Sequence, residues 1–176
     1  MEVFLERGYA NTRVQDITSA AGFTSGALYS HFSGRMDILA EALMTEGERL
    51  VNQLSEDLTK ADPTRDPITE QLAEQLTDLP RDVDRLMLEA ITIALRNDEA
   101  RTTIVSAFTR VSDRLAELMG DALDTGRLDP STDPDAASLL FLSLMLGATV
   151  VRALDLPRAD TKHLIEILAR AQGIPA

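Results

Sequence analysis

The 176-residue sequence contains no cysteine, only two histidines and only 4% aromatic residues. The absence of cysteine excludes a disulfide framework, a thiol nucleophile and a thiolate-bound metal. The two histidines are far apart in the sequence, which argues against a zinc site. The sequence also lacks a P-loop and a Gly-x-Gly-x-x-Gly motif after a strand. We therefore expect no catalytic residues, no metal and no cofactor, and we expect that the protein is not an enzyme.

Long apolar runs are absent as well. No run reaches the roughly 20 residues that span a bilayer, and the start of the chain does not resemble a signal peptide. These absences predict a cytoplasmic protein that makes no membrane contact.

Positive charge is scarce, with 17 Lys and Arg against 29 Asp and Glu and a net charge of −12. On average, this balance argues against nucleic acid, because a phosphate backbone is bound by clustered positive charge. The charge is uneven, however. Residues 1–36 hold three arginines and three carboxylates, so the whole excess belongs to residues 37–176. The sequence therefore predicts a neutral head and an acidic body.

Helical periodicity runs through the whole chain, and no stretch alternates like a strand. In the head, Gly8 is expected to stop a first helix. Thr12 is predicted to cap a second helix, with Gln15 completing a capping box. This second helix is expected to end near Ala21, and a third helix, capped by Thr24, to follow up to about Phe32.

The body is predicted to be an antiparallel helical bundle with a first long helix that opens at Ser33-Gly34. Asp66-Pro67 and Asp133-Pro134 mark two further helix starts. Residues 81–97 are apolar nearly all round, except for a narrow polar stripe, which predicts a central helix. This stripe consists of Arg85, Glu89, Thr92 and Arg96. The fold class is therefore all-α, with a head at residues 1–36 and a body at residues 37–176.

Two short helices joined by a tight turn at Gly22 fit a helix-turn-helix, whose second helix enters the major groove of DNA. In this interpretation Phe23 fills the gap between the helices, and small residues begin the second helix. An ordinary helical hairpin stays open as the alternative. The inward-facing residues would be Ile17, Ala21, Phe23, Leu28 and Phe32, and the outward-facing ones Ser25, Gly26, Ala27, Tyr29 and Ser30.

The same residues resemble the DNA-binding domain of the TetR family of transcriptional repressors. The resemblance covers about the first 45 residues and is most specific in the run Gly-Ala-Leu-Tyr-Ser-His-Phe at 26–32. It implies an all-helical homodimer with a three-helix head and a body that binds a ligand and dimerises through its last two long helices. The expected partners are then a palindromic double-stranded DNA operator, a small-molecule effector and a second copy of the chain.

Position by position, the resemblance implies a set of DNA contacts in the head. Arg35 replaces the usual lysine and would hold a phosphate, since arginine keeps the charge and adds donors. Met36 replaces an acidic residue that the family often has, which predicts weaker capping of the fourth helix. Thr18 replaces an alanine as a tolerable polar residue. The predicted DNA-binding residues are Thr12, Arg13, Gln15, Thr24, Ser25, Gly26, Ala27, Tyr29, Ser30, His31 and Arg35.

The family's first helix normally begins well before the position that matches Met1, often after a basic arm. We therefore expect a shortened head here. Truncation of a longer protein is our hypothesis, and a misassigned start or a natural loss are the alternatives.

Apolar residues of the central helices are the candidates for the effector site, with plain core packing as the alternative for each. Few aromatics and no visible cluster of buried charge favour an apolar or amphipathic effector. The predicted lining is Leu86, Met87, Ala90, Ile91, Ile104, Phe108, Val111, Leu115, Phe141 and Met145.

The last two long helices are the candidates for the dimer interface, with small residues at Gly147-Ala148 where helices can cross closely. The predicted contacts are Leu140, Leu144, Gly147, Ala148, Val151, Leu164, Ile167 and Leu168.

The sequence and its family resemblance thus favour a ligand-responsive DNA-binding regulator, of the repressor type that an effector releases. The alternative is a helical binding or interaction protein that no longer reads DNA.

Overall fold

The computed structural model describes residues 1–62 and 66–171, and every regular element in these ranges is an α-helix. This confirms the predicted all-α class. The helices are α1 (Glu2–Asn11), α2 (Val14–Ala21), α3 (Ser25–Tyr29), α4 (Arg35–Lys60), α5 (Pro67–Thr77), α6 (Asp82–Ala94), α7 (Asp98–Asp124), α8 (Pro134–Ala153) and α9 (Thr161–Ala171).

The chain divides into two compact units, and both α4 and α7 contribute to each of them. The first unit comprises Met1–Gly47 and Asp82–Arg110, and the second comprises Glu48–Arg81 and Val111–Ala176. The first unit therefore adds residues 37–47 of α4, α6 and the beginning of α7 to the predicted head. The functional boundary between a head at 1–36 and a body at 37–176 stays a prediction.

Helix α1 is kinked at Gly8, which has φ 71° and ψ 166°. This backbone region is open almost only to glycine. The hydroxyl of Thr12 donates to the Gly8 carbonyl over 2.7 Å and stabilises the chain on the far side of the kink. The predicted helix stop at Gly8 is thus observed as a kink, after which one more helical turn follows.

The predicted capping box of α2 is wrong by one residue. Arg13 is the N-cap residue, and the carboxylate of Asp16 accepts its backbone N–H at 2.8 Å. The Thr12 hydroxyl lies instead at the kink of α1, where it donates to the Gly8 carbonyl. The hydrogen bond from Arg13 and the nearby Arg7 guanidinium, 2.7 Å from Asp16, lower the pKa of the Asp16 carboxyl.

The turn between α2 and α3 forms as predicted, but its side chains are arranged differently. Gly22 is left-handed at φ 69°, and the Phe23 N–H donates to the Thr18 carbonyl, as in a Schellman motif. This geometry leaves Ala21 exposed and Phe23 66% exposed, so their predicted inward orientation is wrong. Thr18 is buried instead, with its hydroxyl satisfied by the Gln15 carbonyl.

The carboxylate that caps the start of α4 belongs to Asp37, one residue after Met36. The Asp37 carboxylate accepts both the N–H and the hydroxyl of Ser33, and it also accepts the Thr103 hydroxyl of α7 at 3.1 Å. These donors lower the pKa of the Asp37 carboxyl, with the Ser33 hydroxyl as the largest cause. The weak capping predicted from Met36 is therefore compensated one residue later.

The second unit has an apolar core built from α4, α5, α7 and α8. Its two proline helix starts are confirmed, because Asp66 and Asp133 accept backbone N–H groups as N-caps of α5 and α8. The buried core residues are Val51, Leu54, Leu58, Ile68, Leu72, Leu115, Leu118, Met119 and Phe141.

Helix α8 is the most apolar helix. It is 20 residues long, and 28% of its 18-residue apolar window, with a mean hydropathy of 1.8, is buried within the chain. Among the described residues it is the one helix that is long and apolar enough to cross a membrane, so the prediction that no stretch reaches this length is wrong. A core helix of a soluble protein has the same length and composition.

Replacing Gly8 by alanine is expected to lower the free energy of unfolding by about 1–3 kcal/mol, because a side chain disfavours the backbone conformation of Gly8. Gly120→Ala is the matched control. Gly120 lies inside α7, where an added methyl group would meet only open space, so alanine should stabilise there by up to about 1 kcal/mol. Urea unfolding followed by circular dichroism measures both, and equal effects of the two variants would contradict the assignment.

Candidate nucleic-acid interface

Most of the predicted DNA-binding residues lie at the surface of the first unit. Ser25 and Arg35 are half-buried, and Thr12 is fully buried. The exposed members are Arg13, Gln15, Thr24, Gly26, Ala27, Tyr29, Ser30 and His31.

Thr12 does not join this surface. Its relative exposure is 0%, and its hydroxyl donates to the Gly8 carbonyl inside the head. The Thr12 side chain is therefore not available to a phosphate or a base, and its role in this structure is to stabilise the kink of α1.

The first turn of α3 is open to a close approach from outside. The Thr24 hydroxyl caps the helix by accepting the Ala27 N–H at 3.2 Å. A Cβ added to Gly26 would lie no nearer than 4.0 Å to another group, the Thr24 hydroxyl. Nothing inside the head therefore requires glycine at position 26. The absence of a side chain would instead let a base edge or sugar–phosphate approach the backbone closely.

The three arginines of residues 1–36 differ in how they are used. Arg7 forms an ion pair with Asp16 at 2.7 Å. The Arg35 guanidinium lies 4.1 Å from the centre of the Tyr9 ring and donates to backbone carbonyls. Arg13 is exposed, and its backbone rather than its guanidinium is bonded to Asp16. The head therefore presents few free cations to DNA.

Residues Tyr9–Thr12, which we call the linking turn, connect the kink of α1 to α2. Arg35 donates from Nη1 to the carbonyl of Thr12 and, over 3.4 Å, to that of Ala10. A cation at the carbonyl end of a helical turn is the favourable arrangement for the helix dipole. The phosphate contact of Arg35 stays a prediction and would use the guanidinium donors that the turn does not engage.

The N–H end of the linking turn is bound by Glu89 of α6. One carboxylate oxygen accepts the Tyr9 N–H at 3.1 Å, and the other accepts the Ala10 N–H at 3.3 Å. The kink at Gly8 removes these two N–H groups from the normal ladder of α1, as at any helix start. A residue 80 positions away in the sequence thus caps the turn that precedes α2.

Sequence reasoning missed this role of Glu89. It did place Glu89 on the narrow polar stripe of α6, where the structure leaves Arg85, Thr92 and Arg96 exposed and Glu89 half-buried. The one signal that could have pointed to it is that Glu89 is the only carboxylate of that stripe. Its partners could not be read from the sequence, because they are backbone groups of a distant segment.

Comparison with known proteins agrees with this geometry. Residues 1–42 match the family described as bacterial regulatory proteins, tetR family. A curated relative, the HTH-type transcriptional repressor DhaR of Mycobacterium sp. (strain GP1), is 53% identical over 34 residues. That match spans 19% of this chain and 17% of the relative, so it covers only a small part of either protein.

Solved structures extend the likeness to the fold of the whole chain. A TetR-family transcriptional regulator from Rhodococcus sp. has a TM-score of 0.72 and 23% identity, over 97% of this chain and 92% of that one. Salmonella enterica GusR has a TM-score of 0.67 and 18% identity, over 98% and 90%. The head is thus similar to the tetR family, and the whole chain shares the fold of these solved regulators.

The predicted effector lining divides between the two units. Residues Leu86, Met87, Ala90, Ile91, Ile104 and Phe108 belong to the first unit, and Val111, Leu115, Phe141 and Met145 to the second. In the second unit, Leu115 and Phe141 are core residues, and Val111 and Met145 pack against that core. The effector site stays a prediction. A groove of about 150 Å³ elsewhere in the second unit is lined by none of these residues.

The predicted dimer residues separate into exposed and buried sets. Leu140 is 62% exposed, Ile167 is 59% exposed, and Gly147 is exposed as well. Ala148 is fully buried, and Leu144 and Leu168 pack against the core of the second unit. Packing of Ala148, Leu144 and Leu168 therefore stabilises the fold of the single chain. The remaining members, Val151 and Leu164, are half-buried.

Gly26→Ala is expected to leave the free energy of unfolding unchanged or slightly raised, because the added methyl group meets nothing closer than 4.0 Å. The same change should weaken DNA binding by at least tenfold if the backbone of α3 approaches the DNA closely. Fluorescence anisotropy with a labelled duplex measures the affinity, and Gly120→Ala in α7 is the control. Unchanged affinity would place the DNA elsewhere on the head.

Proposed function

We propose that this protein is a ligand-responsive transcriptional regulator that binds a palindromic DNA operator as a homodimer and acts as a repressor. The observation that carries the proposal is the open first turn of α3, within a head that matches the TetR family over residues 1–42. Nothing inside the head requires the glycine at position 26, and exposed hydroxyls and the exposed Tyr29 lie near it in the sequence. These features suit an element that enters the major groove of DNA.

The charge distribution supports a particular mode of binding. The head is neutral and its cations are partly engaged, whereas the body carries the entire net charge of −12. Non-specific attraction to phosphates should therefore be weak, and base contacts should contribute a large share of the affinity. With Arg13 and Arg35 as the phosphate-binding cations of each head, a dimer would neutralise about four phosphates, which predicts a slope of about −4 for log K against log salt.

An uncharged stripe along α8 supports the homodimer. In the single chain, Leu139 is 63% exposed, Leu140 62% and Val150 40%, and the smaller Ser143 and Gly147 are exposed between them. This spacing places the five residues on one face of the helix. A contiguous apolar face of this kind marks an interaction surface. A second copy is the proposed partner, because the family-like head needs two half-sites.

Similar folds support a small-molecule effector. A regulator FadR from Bacillus subtilis was solved in complex with stearoyl-CoA, at a TM-score of 0.55 and 20% identity. AibR was solved with isovaleryl coenzyme A and operator DNA, at a TM-score of 0.52 and 20% identity. Both ligands join an apolar chain to a polar group, which agrees with the amphipathic effector class that we propose here. Reading genomic DNA would place the protein in the cytoplasm.

Selection of duplexes from a random library tests the function directly. We expect enrichment of a palindrome with half-sites about 34–36 Å apart, or a multiple of that distance, and a salt slope near −4 for the enriched duplex. Apolar or amphipathic molecules that raise the melting temperature should then release the protein from this duplex.

Failure to enrich any duplex at low salt would contradict DNA reading and favour the alternative, a helical binding or interaction protein. Stabilisation by charged metabolites but by no apolar or amphipathic molecule would contradict the proposed effector class.

Gly147→Leu tests the dimer. A Cβ at Gly147 has no neighbour within 4 Å in the single chain, so the substitution should leave the fold intact and obstruct only a second copy. We expect the dimer dissociation constant to rise at least tenfold in sedimentation equilibrium, while Gly120→Leu, at a site equally free of neighbours within 4 Å, has a smaller effect. A fully dimeric Gly147→Leu variant would contradict this interface. Partition of the wild-type protein into lipid vesicles would instead assign the stripe to a membrane.

A further inference from the structure

We propose that Glu89 of α6 is a positioning residue for DNA reading, which sets the orientation of the helix-turn-helix by capping the linking turn that precedes it. This inference rests on the proposed DNA-binding function. It concerns a residue outside the head, and Glu89 itself makes no contact with DNA.

The geometry of the linking turn is the first support. The kink at Gly8 leaves the N–H groups of Tyr9 and Ala10 at the start of a new helical turn. Each oxygen of the Glu89 carboxylate takes one of them, at 3.1 and 3.3 Å. Because the two oxygens of one carboxylate accept two consecutive N–H groups, this bidentate contact fixes both the position and the direction of the turn.

The other end of the turn is the second support. Arg35, at the start of α4, donates to the carbonyls of Ala10 and Thr12 and lies over the Tyr9 ring. The single turn is thus held by a carboxylate at its N–H end and by a guanidinium at its carbonyl end, as the helix dipole favours. Two separate helices, α6 and α4, therefore determine where α2 begins.

The placement of Glu89 on α6 is the third support. The other members of its polar stripe, Arg85, Thr92 and Arg96, are exposed, whereas Glu89 is half-buried against α1. A Cβ on Gly8 would lie 3.8 Å from the nearer Glu89 oxygen, so the glycine and the carboxylate are in close proximity. Glu89 is therefore the member of this polar stripe that binds backbone groups of the head.

Removing the carboxylate should loosen the orientation of the head without altering the residues that read bases. One added base pair between half-sites moves a half-site by about 3.4 Å and rotates it by about 34–36°. A dimer whose heads are firmly oriented discriminates against such a change. A dimer with loosely held heads tolerates it.

The experiment compares the duplex selected by the wild-type protein with versions lengthened or shortened by one base pair, and with a single half-site. For the wild type we expect at least a tenfold loss of affinity on either spacing change. For Glu89→Ala we expect the loss to fall below threefold, with the half-site affinity and base preference within twofold of wild type. Glu89→Gln, which keeps one acceptor oxygen, should lie between the two.

Glu99→Ala is the matched control, because it removes one exposed carboxylate from α7 and changes the net charge by the same amount. It should retain the spacing discrimination of the wild type. If Glu89→Ala does not fold, Glu89→Gln decides alone. Discrimination equal to that of the wild type in the folded Glu89 variant overturns the proposal, as does a uniform loss of affinity on every duplex. Failure of the wild type to select any duplex would instead contradict the proposed function.

Discussion

The capping of one helical turn by charges from two other helices is the interaction on which the architecture of the head depends. Glu89 binds the N–H groups of Tyr9 and Ala10, and Arg35 binds the carbonyls at the other end. Hydrogen bonds to charged groups contribute about 1.5–3 kcal/mol each, which is a large share of a typical stability of about 5–15 kcal/mol. The kink at Gly8 is compatible with a stable head only because these caps satisfy the backbone groups that it releases.

Features governed by neighbouring residues could be predicted from the sequence. The left-handed Gly22, the Thr24 cap and the proline helix starts after Asp66 and Asp133 each depend on atoms a few residues apart. The neutral head likewise follows from counting charges. For the candidate site, the pattern placed the exposed first turn of α3 correctly, because its small residues and cap are local signals.

Features that depend on tertiary contacts could not be predicted in the same way. Thr12 has the chemistry of an N-cap, but its buried hydroxyl donates to the Gly8 carbonyl at the kink of α1, and Arg13 is the N-cap residue. Phe23 looks like a core residue by type, yet the Schellman turn places it at the surface. For Arg35 the family resemblance predicts only a phosphate contact. No local signal in the sequence reveals the carbonyls and the Tyr9 ring that Arg35 contacts.

Amide hydrogen exchange at Tyr9 and Ala10 tests the central claim most directly. Val3 is an internal reference, because it also lies in the first turn of a helix but its N-cap, Met1, supplies no side-chain acceptor. If Glu89 caps the linking turn, the amides of Tyr9 and Ala10 exchange at least a hundredfold more slowly than that of Val3. Exchange of all three amides at the rate of an unstructured peptide would contradict the account.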